Sequence, residues 1–337
     1  MHEKNLSQTS HGCSGEILMI GFVYKNKCHP VSQTYADAIG AVSYKITCPI
    51  DAFWKGLTSP TYESYFIESV MSMLVPITKR MLGKKVKIIF RGNDGIFGEK
   101  TEAYLYTKNK LKKKILLWFI KHMGAIIVES EMTKHDTEQW TSVPIEVCES
   151  YVENKKALET IKPNLQTKTF LFIGEYRPPY DHKNVENLIA LFNALPEYTI
   201  IIIGKNTSQL KSKAKENIKI LDYVPDIHDY YKQATYYIHL PKYETGPITI
   251  LEAMTAGLIV ITNNNAGHSN IIKRISKKLV IEENNVSDIK NHIHQIVKIP
   301  FKEKQKISET FKKLGRNHYN KEEMTKKFKK VWKACQN

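Results

Sequence analysis

Short apolar runs, each stopped by glycine, proline or a polar turn, alternate along this chain with stretches of helical periodicity. In the first half, Glu16 to Val23 reads as a strand, and Ser32 as the N-cap of a helix reaching about Tyr44. A long helical stretch is predicted over Tyr62 to Leu82. It is followed by the compact β run Val86 to Phe90 and a glycine-rich loop, Arg91-Gly-Asn-Asp-Gly95. A helix through Thr101 to His122 leads into a strand at Ala125 to Val128, and Val143 to Val147 adds one more. Around Val152 to Gln166 the chain turns polar, with Pro163 inside a mixed-charge run, which marks a domain boundary.

The pattern then restarts. Strands are predicted at Thr169 to Ile173, Thr199 to Ile203, Ile218 to Leu221, Tyr236 to Leu240 and Leu258 to Thr262. Helices fall between them at Asn184 to Leu195 and Ile227 to Ala234, and from Val286 onward the chain is helical and basic. Repeated β-α units predict parallel sheets covered on both faces. The expectation is therefore an α/β chain with two Rossmann-like domains facing a central cleft, over residues 15–160 and 165–318, and a closing helix over 319–337.

One block carries more chemistry than the rest. After the strand ending at Leu240, Pro241 breaks the run, Gly246-Pro247 opens a helix, and Gly257 stops it. Glu244 then lies in the strand-to-helix loop and Glu252 inside the helix, with seven residues between them. The amides of a helix N-terminus between two carboxylates favour a ligand with both phosphates and hydroxyls. A nucleotide sugar is such a ligand.

Bulk properties narrow the setting. A chain of 337 residues has room for two cores. No apolar run approaches the roughly 18 to 20 residues of a membrane span, and Met1 to Ser14 is polar, without the apolar core of a secretory signal. The five cysteines show no Cys-x-x-Cys spacing, so reduced thiols in a cytoplasmic protein are the expectation. The net charge is +16, and the stretch from Lys273 to the end carries 18 basic residues against 7 acidic ones. Compositional drift toward lysine accounts for this as well as an anion-binding surface does. In so lysine-rich a chain, the five arginines (Arg80, Arg91, Arg177, Arg274, Arg316) stand out as planar, always-charged donors. Arg91 and Arg177 follow predicted strands, where ligands of open α/β sheets bind.

The second-half motifs come in a telling order. A strand ending in Gly174 is followed by Arg177 and Lys183, then by a strand ending in Gly204. Tyr223-Val-Pro225 comes next, then the two-glutamate block through Ala256-Gly257, then Ala266-Gly-His268. In this order the chain resembles the retaining, nucleotide-sugar-dependent glycosyltransferases of the GT-B fold, specifically glycosyltransferase family four. The likeness is strong from Thr169 to Ile272. It is weaker in the first half, where the element order and the stretch Ala125 to Lys134 carry it. The segment from Gly315 through Met324 onward also resembles the family's closing helix, which the resemblance implies crosses back to the first domain.

The resemblance implies a hexosyl transfer from a UDP- or GDP-linked sugar to a glycan, a lipid-linked or another hydroxyl acceptor, with retention and without a metal or other cofactor. It implies that Arg177, Lys183 and Glu244 act on the diphosphate and donor sugar. Gly174, Tyr223, Val224, Pro225, Gly246, Pro247, Ile248, Thr249, Glu252 and His268 would hold the donor, with Glu252 on the ribose diol and Tyr223 to Pro225 against the base. Arg91, Asp94, Ser32 and Gln33 stand on the acceptor or sugar side. Fixed cations at the diphosphate would act on negative charge that builds as the sugar–phosphate bond breaks.

The chain also departs from the family pattern. Glu175 follows Gly174 where the family has arginine, and Pro178-Pro179 lengthens that loop. Arg91-Gly-Asn-Asp94 stands where many members carry a histidine. The glycine pair near the first strand is replaced by Lys27 to Thr34, whose Ser32–Gln33–Thr34 amides remain candidates for the diphosphate. No Asp-x-Asp metal motif occurs.

Two further readings stay open. A nucleic-acid glucosyltransferase or sugar-nucleotide epimerase would use the same fold, although nucleic acid is not the favoured partner; an inactive GT-B-like scaffold is the non-enzyme alternative. Finally, Lys108 to Lys121 reads as a basic amphipathic helix, which suits either sheet packing or peripheral contact with an anionic membrane.

Overall fold

The structure, a computed structural model, describes residues 19–92, 110–283 and 285–336. The first domain runs β1 (Ile20–Lys25), α1 (Pro30–Ala38), β2 (Val42–Ile46), α2 (Pro49–Thr58), β3 (Ser64–Ile67) and a 3-10 turn (Val70–Met73) that continues into α3 (Leu74–Met81). It continues with β4 (Lys87–Gly92), α4 (Lys110–Lys121), β5 (Ala125–Val128), α5 (Glu131–Glu138) and β6 (Ile145–Val147). Its sheet is parallel throughout, in the order β2-β1-β3-β4-β5-β6.

Strand periodicity explains how this sheet is covered. Successive side chains point to opposite faces. Phe22, Phe66, Ile89 and Ile127 therefore join one core, while Val23, Ile67, Phe90 and Val128 join a second core on the other face. The second core is capped by α2, α3 and α4 through Ala52, Ile77, Leu116 and Ile120.

After α6 (Lys155–Glu159), the second domain runs β7 (Thr169–Ile173), α7 (Val185–Asn193), β8 (Thr199–Ile203), β9 (Ile218–Leu221), α8 (His228–Gln233) and β10 (Tyr236–His239). Then come α9 (Ile248–Ala256), β11 (Ile259–Asn263), α10 (Ser269–Ile275), β12 (Val280–Ile281), α11 (Val286–Val297), α12 (Phe301–His318) and α13 (Lys321–Gln336). The sheet order is β12-β11-β10-β7-β8-β9, again parallel.

The last helix packs on the first domain. Phe328 stacks on Tyr35 with ring centroids 4.3 Å apart, Trp332 meets Phe66 edge-on, and Ser64 Oγ donates to Gln336 at 2.9 Å. The buried rings of α13 thus join the core of α1 and β3.

Three sequence expectations are corrected. The helix predicted over Tyr62 to Leu82 begins as β3, because Ser64–Ile67 is buried on both faces between β1 and β4. The helix expected to reach Tyr44 ends at Ala38, and Val42–Ile46 forms the edge strand β2. Ser32 is not its cap: His29 holds that position, Pro30 opens the helix, and Ser32 is buried in the first turn. The start of the predicted first strand and of the predicted 101–122 helix lie outside the described residues.

Candidate active site

The glutamate block folds as its punctuation predicts. Pro247 caps α9, and Gly257 closes it at φ +88°, in the left-handed region that a side chain would strain. Glu244 occupies the loop at the carboxyl end of β10, forming a single parallel bridge with Ala266. Its amide donates to the Asn265 carbonyl at 2.9 Å, and Gly267 N donates to the Glu244 carbonyl at 2.8 Å. A Cβ on Gly267 would sit 1.7 Å from the Thr245 carbonyl oxygen, so only glycine lets these two loops lie side by side.

Glu244 is the centre of a charged cluster. Lys183 Nζ donates to its Oε1 at 2.5 Å, and His239 Nε2 meets its Oε2 at 2.5 Å. Burial would raise the Glu244 carboxyl, but His239 and Lys183 outweigh it and hold the group well below the usual carboxylate range. His239 is fully buried at the last position of β10, and burial pushes its imidazole down against the pull of Glu244. A neutral ring facing a carboxylate carries its proton on Nε2 and donates it to Glu244. Its Nδ1 meets no partner among the described residues.

Lys183 precedes α7 and lies against the end of β7. A Cβ on Gly174 would come within 2.8 Å of Lys183 Cδ, and one on Gly204 within 1.9 Å of the Gly174 carbonyl oxygen. Both glycines at the strand ends therefore serve close packing beneath the lysine. Arg177 is placed apart from this cluster. It is exposed and pairs with Glu175, whose Oε2 accepts from Nε at 2.9 Å and lies 2.9 Å from Nη2. The joint grip of Arg177 and Lys183 expected from the sequence is absent from this arrangement.

The second glutamate faces a separate hollow of roughly 210 Å³, lined by Tyr223, Val224, Pro225, Asn154, His228 and Glu252 among others. The structure therefore brings the Tyr-Val-Pro segment and Glu252 together. Burial pushes the Glu252 carboxyl up to about 7, opposed by the Tyr231 hydroxyl, which donates to it at 3.4 Å. Tyr237, stacked beside His239 on β10, donates its hydroxyl to Thr249 Oγ1 at 2.7 Å and so ties that strand to the first turn of α9, the helix that carries Glu252. The first-turn amides of Ile248 and Thr249 belong to a helix terminus, where intrahelical partners are lacking.

His268 is buried, not solvent-facing. Burial pushes its imidazole down to about 4, and neither ring nitrogen meets a hydrogen-bond partner among the described residues.

On the first-domain side the expectations change most. Arg91 has no exposure at all. Its Nη1 donates to Ser32 Oγ at 2.7 Å and its Nη2 to Glu129 Oε1 at 2.7 Å, while Ser150 Oγ also donates to that oxygen at 2.7 Å. Arg91 thus braces the ends of β4, β5, β6 and α1 instead of offering its charge to an acceptor. Gln33 turns to Asp37 and Ser43, and its amide already donates to the His29 carbonyl. Asp94 lies outside the described residues.

Glu129, which the sequence reading missed, spans the two domains. Its Oε2 accepts from Thr245 Oγ1 at 3.4 Å, and a Cβ on Gly246 would come within 2.8 Å of that oxygen. Tyr243 adds a second tie across the cleft, donating to Asp136 Oδ2 at 2.6 Å. The loop carrying Glu244 is therefore packed directly on the first domain. His239 and Tyr231 were also missed. The one signal available for His239 was a lone polar residue closing an otherwise apolar strand, five positions before Glu244.

Two parallel-sheet domains, with the candidate residues gathered at strand carboxyl ends, define an α/β protein of the GT-B type. Residues 154–314, which take in the second domain, match the family described as Glycosyl transferases group 1. A protein of Haemophilus influenzae described as an uncharacterized glycosyltransferase is 23% identical over 148 residues. That match takes in 40% of this chain and spans 41% of the relative's length.

The fold is shared with solved structures. Anabaena HepE in complex with UDP matches with a TM-score of 0.73 at 11% identity, over 94% of this chain and 100% of that one. Sucrose-phosphate synthase from Thermosynechococcus elongatus matches at 0.65 and 13% identity, over 81% and 73%. A glycosyltransferase from Rickettsia africae matches at 0.67 and 13%, over 95% and 99%.

Proposed function

We propose that the protein is a glycosyltransferase that moves a sugar from a uridine diphosphate sugar to a hydroxyl acceptor, with retention and without a required metal ion. The observation that carries this reading is the pairing of two sites along one sheet edge: the Lys183–Glu244–His239 cluster and the Glu252 hollow, joined through Tyr237 and the start of α9. In this reading Glu252 accepts hydrogen bonds from the ribose diol, and Tyr223 to Pro225 line the base. The diphosphate lies between, against the α9 amides and Lys183. The UDP and UDP-glucose bound by HepE support uridine over guanosine.

Lys183 would supply fixed positive charge as the sugar–phosphate bond breaks. Its present partner is Glu244, so an arriving diphosphate competes with that carboxylate for the ammonium. Glu244 is then released toward the donor sugar while His239 still holds its second oxygen. A fixed donor aimed at developing charge is worth about 3 kcal/mol in rate. Retention follows in this reading from a front-face route, in which the leaving phosphate helps take the acceptor's proton.

A thermal-shift screen of UDP-, GDP- and ADP-sugars, followed by donor hydrolysis, tests the proposal. A UDP-sugar is expected to stabilise the fold and to be turned over. Binding without turnover for any donor and acceptor would replace the enzyme reading with a scaffold.

A further inference from the structure

We infer that the outward side of α2 and α4 in the first domain is a docking surface for an anionic lipid bilayer. A surface helix needs one apolar stripe to hold it to its core. Each of these helices has two. In α4, Leu116 and Ile120 are buried in the core, yet Ile115 and Trp118 on the outer side are 47% and 49% exposed. In α2, Ala52 and Gly56 are buried, and a Cβ on Gly56 would come within 2.5 Å of Thr78 on α3. Its outer stripe of Ile50, Phe53 and Trp54 is 70%, 43% and 58% exposed.

Both helices cover the same face of the first sheet, and both touch the turn Val70–Met73. The end of α3 between them adds exposed Met81 and Leu82. In the second domain the exposed large apolar side chains are scattered at Tyr180, Tyr223, Val286 and Phe301.

Charge decides among occupants. The α4 sequence holds five lysines and no acid. Lys110, Lys114 and Lys121 are exposed, and exposed Lys84 and Lys85 follow Leu82. On α2, Asp51 is occupied with the Thr47 amide and Lys55. A second copy of the chain would bring lysines against lysines, whereas an anionic bilayer neutralises them. Each lysine near such a surface adds to the attraction. Tryptophan and long lysine stems suit the lipid–water boundary, where an apolar body and a polar tip are both satisfied. No helix among the described residues is long and apolar enough to cross a membrane, so the contact is peripheral.

The test is cosedimentation with vesicles of equimolar phosphatidylglycerol and phosphatidylcholine, against phosphatidylcholine alone, with no donor present. The readout is therefore independent of the nucleotide-sugar reading. The protein is expected to partition onto the anionic vesicles only, and less so as salt rises. Trp54→Glu and Trp118→Glu should each lower partitioning at least about tenfold, while Phe301→Glu on the second domain leaves it unchanged. These sites are exposed, and circular dichroism checks that each variant folds. Failure to bind anionic vesicles would overturn the inference, as would binding that neither tryptophan variant weakens. A dimer in sedimentation velocity that the same variants dissociate would instead assign the surface to a second copy.

Discussion

Glu252 faces the Tyr223–Pro225 hollow as a carboxyl that burial raises from 4.5 to about 7. Between those values the folded chain binds a proton more tightly than the unfolded chain, so its stability falls as pH rises through the window. Glu252→Gln removes that penalty. The variant should be more stable than the native protein near about pH 8, by up to about 3 kcal/mol, and no different below about pH 4; urea melts across pH check this. A diol donating to the ionised carboxylate also makes UDP bind more tightly as pH rises from about 6 to 8, readable by calorimetry. Lys183→Met strips Glu244 of its ammonium and leaves the His239 imidazole as its remaining hydrogen-bond partner. UDP affinity should fall at least about tenfold, and the His239 titration, followed by NMR, should move upward. Both glutamates were legible in the sequence because local punctuation, Pro241, Gly246-Pro247 and Gly257, fixes their places, and Lys183 through the motif order that carries the resemblance. His239, Glu129 and Tyr231 were not, since their partners lie on other strands and helices. Arg91 shows the same limit: its position after a strand was clear, but its burial against Ser32 and Glu129 depends on four elements meeting.

Elements buried on both faces gave the clearest sequence signal. Thr169–Ile173, Thr199–Ile203 and Ala125–Val128 fall where their apolar runs predict. Two pieces of the first domain, β2 and β3, misled it. The exposed edge strand β2 lacks a continuous apolar run, and β3 runs without a glycine or proline stop into the turn before α3. Loops that lie side by side are harder still, because their register is written in single glycines. Gly267→Ala places a methyl against the Thr245 carbonyl and the Ser130 hydroxyl, at 1.7 and 2.7 Å before any relaxation. We predict a loss of at least about 2 kcal/mol in stability. UDP binding should weaken in parallel, since the Glu244 loop must move to relieve the contact. A variant that melts like the native protein would show that the two loops do not share this close approach.

At the scale of the whole molecule, the return of α13 to the first domain makes the chain's last residues part of its first core. Phe328 is fully buried between Tyr35 and Phe66. Phe328→Ala should cost about 3 to 5 kcal/mol, and denaturation followed by Trp332 fluorescence should report it. The closing helix was legible as an amphipathic segment, but its landing place was an expectation of resemblance, because nothing in its own periodicity names α1 and β3. The same division holds for function: the second domain carries the landmarks from which a donor site is proposed, while Arg91 and Ser32, expected on the acceptor side of the first domain, form an internal brace. The donor site is therefore the claim on which the account rests. Isothermal titration of UDP into the native protein and Glu252→Ala tests it most directly. The account predicts saturable binding to the native protein and at least about a tenfold loss in the variant. Absence of binding to the native protein, or equal affinity in both, would contradict it.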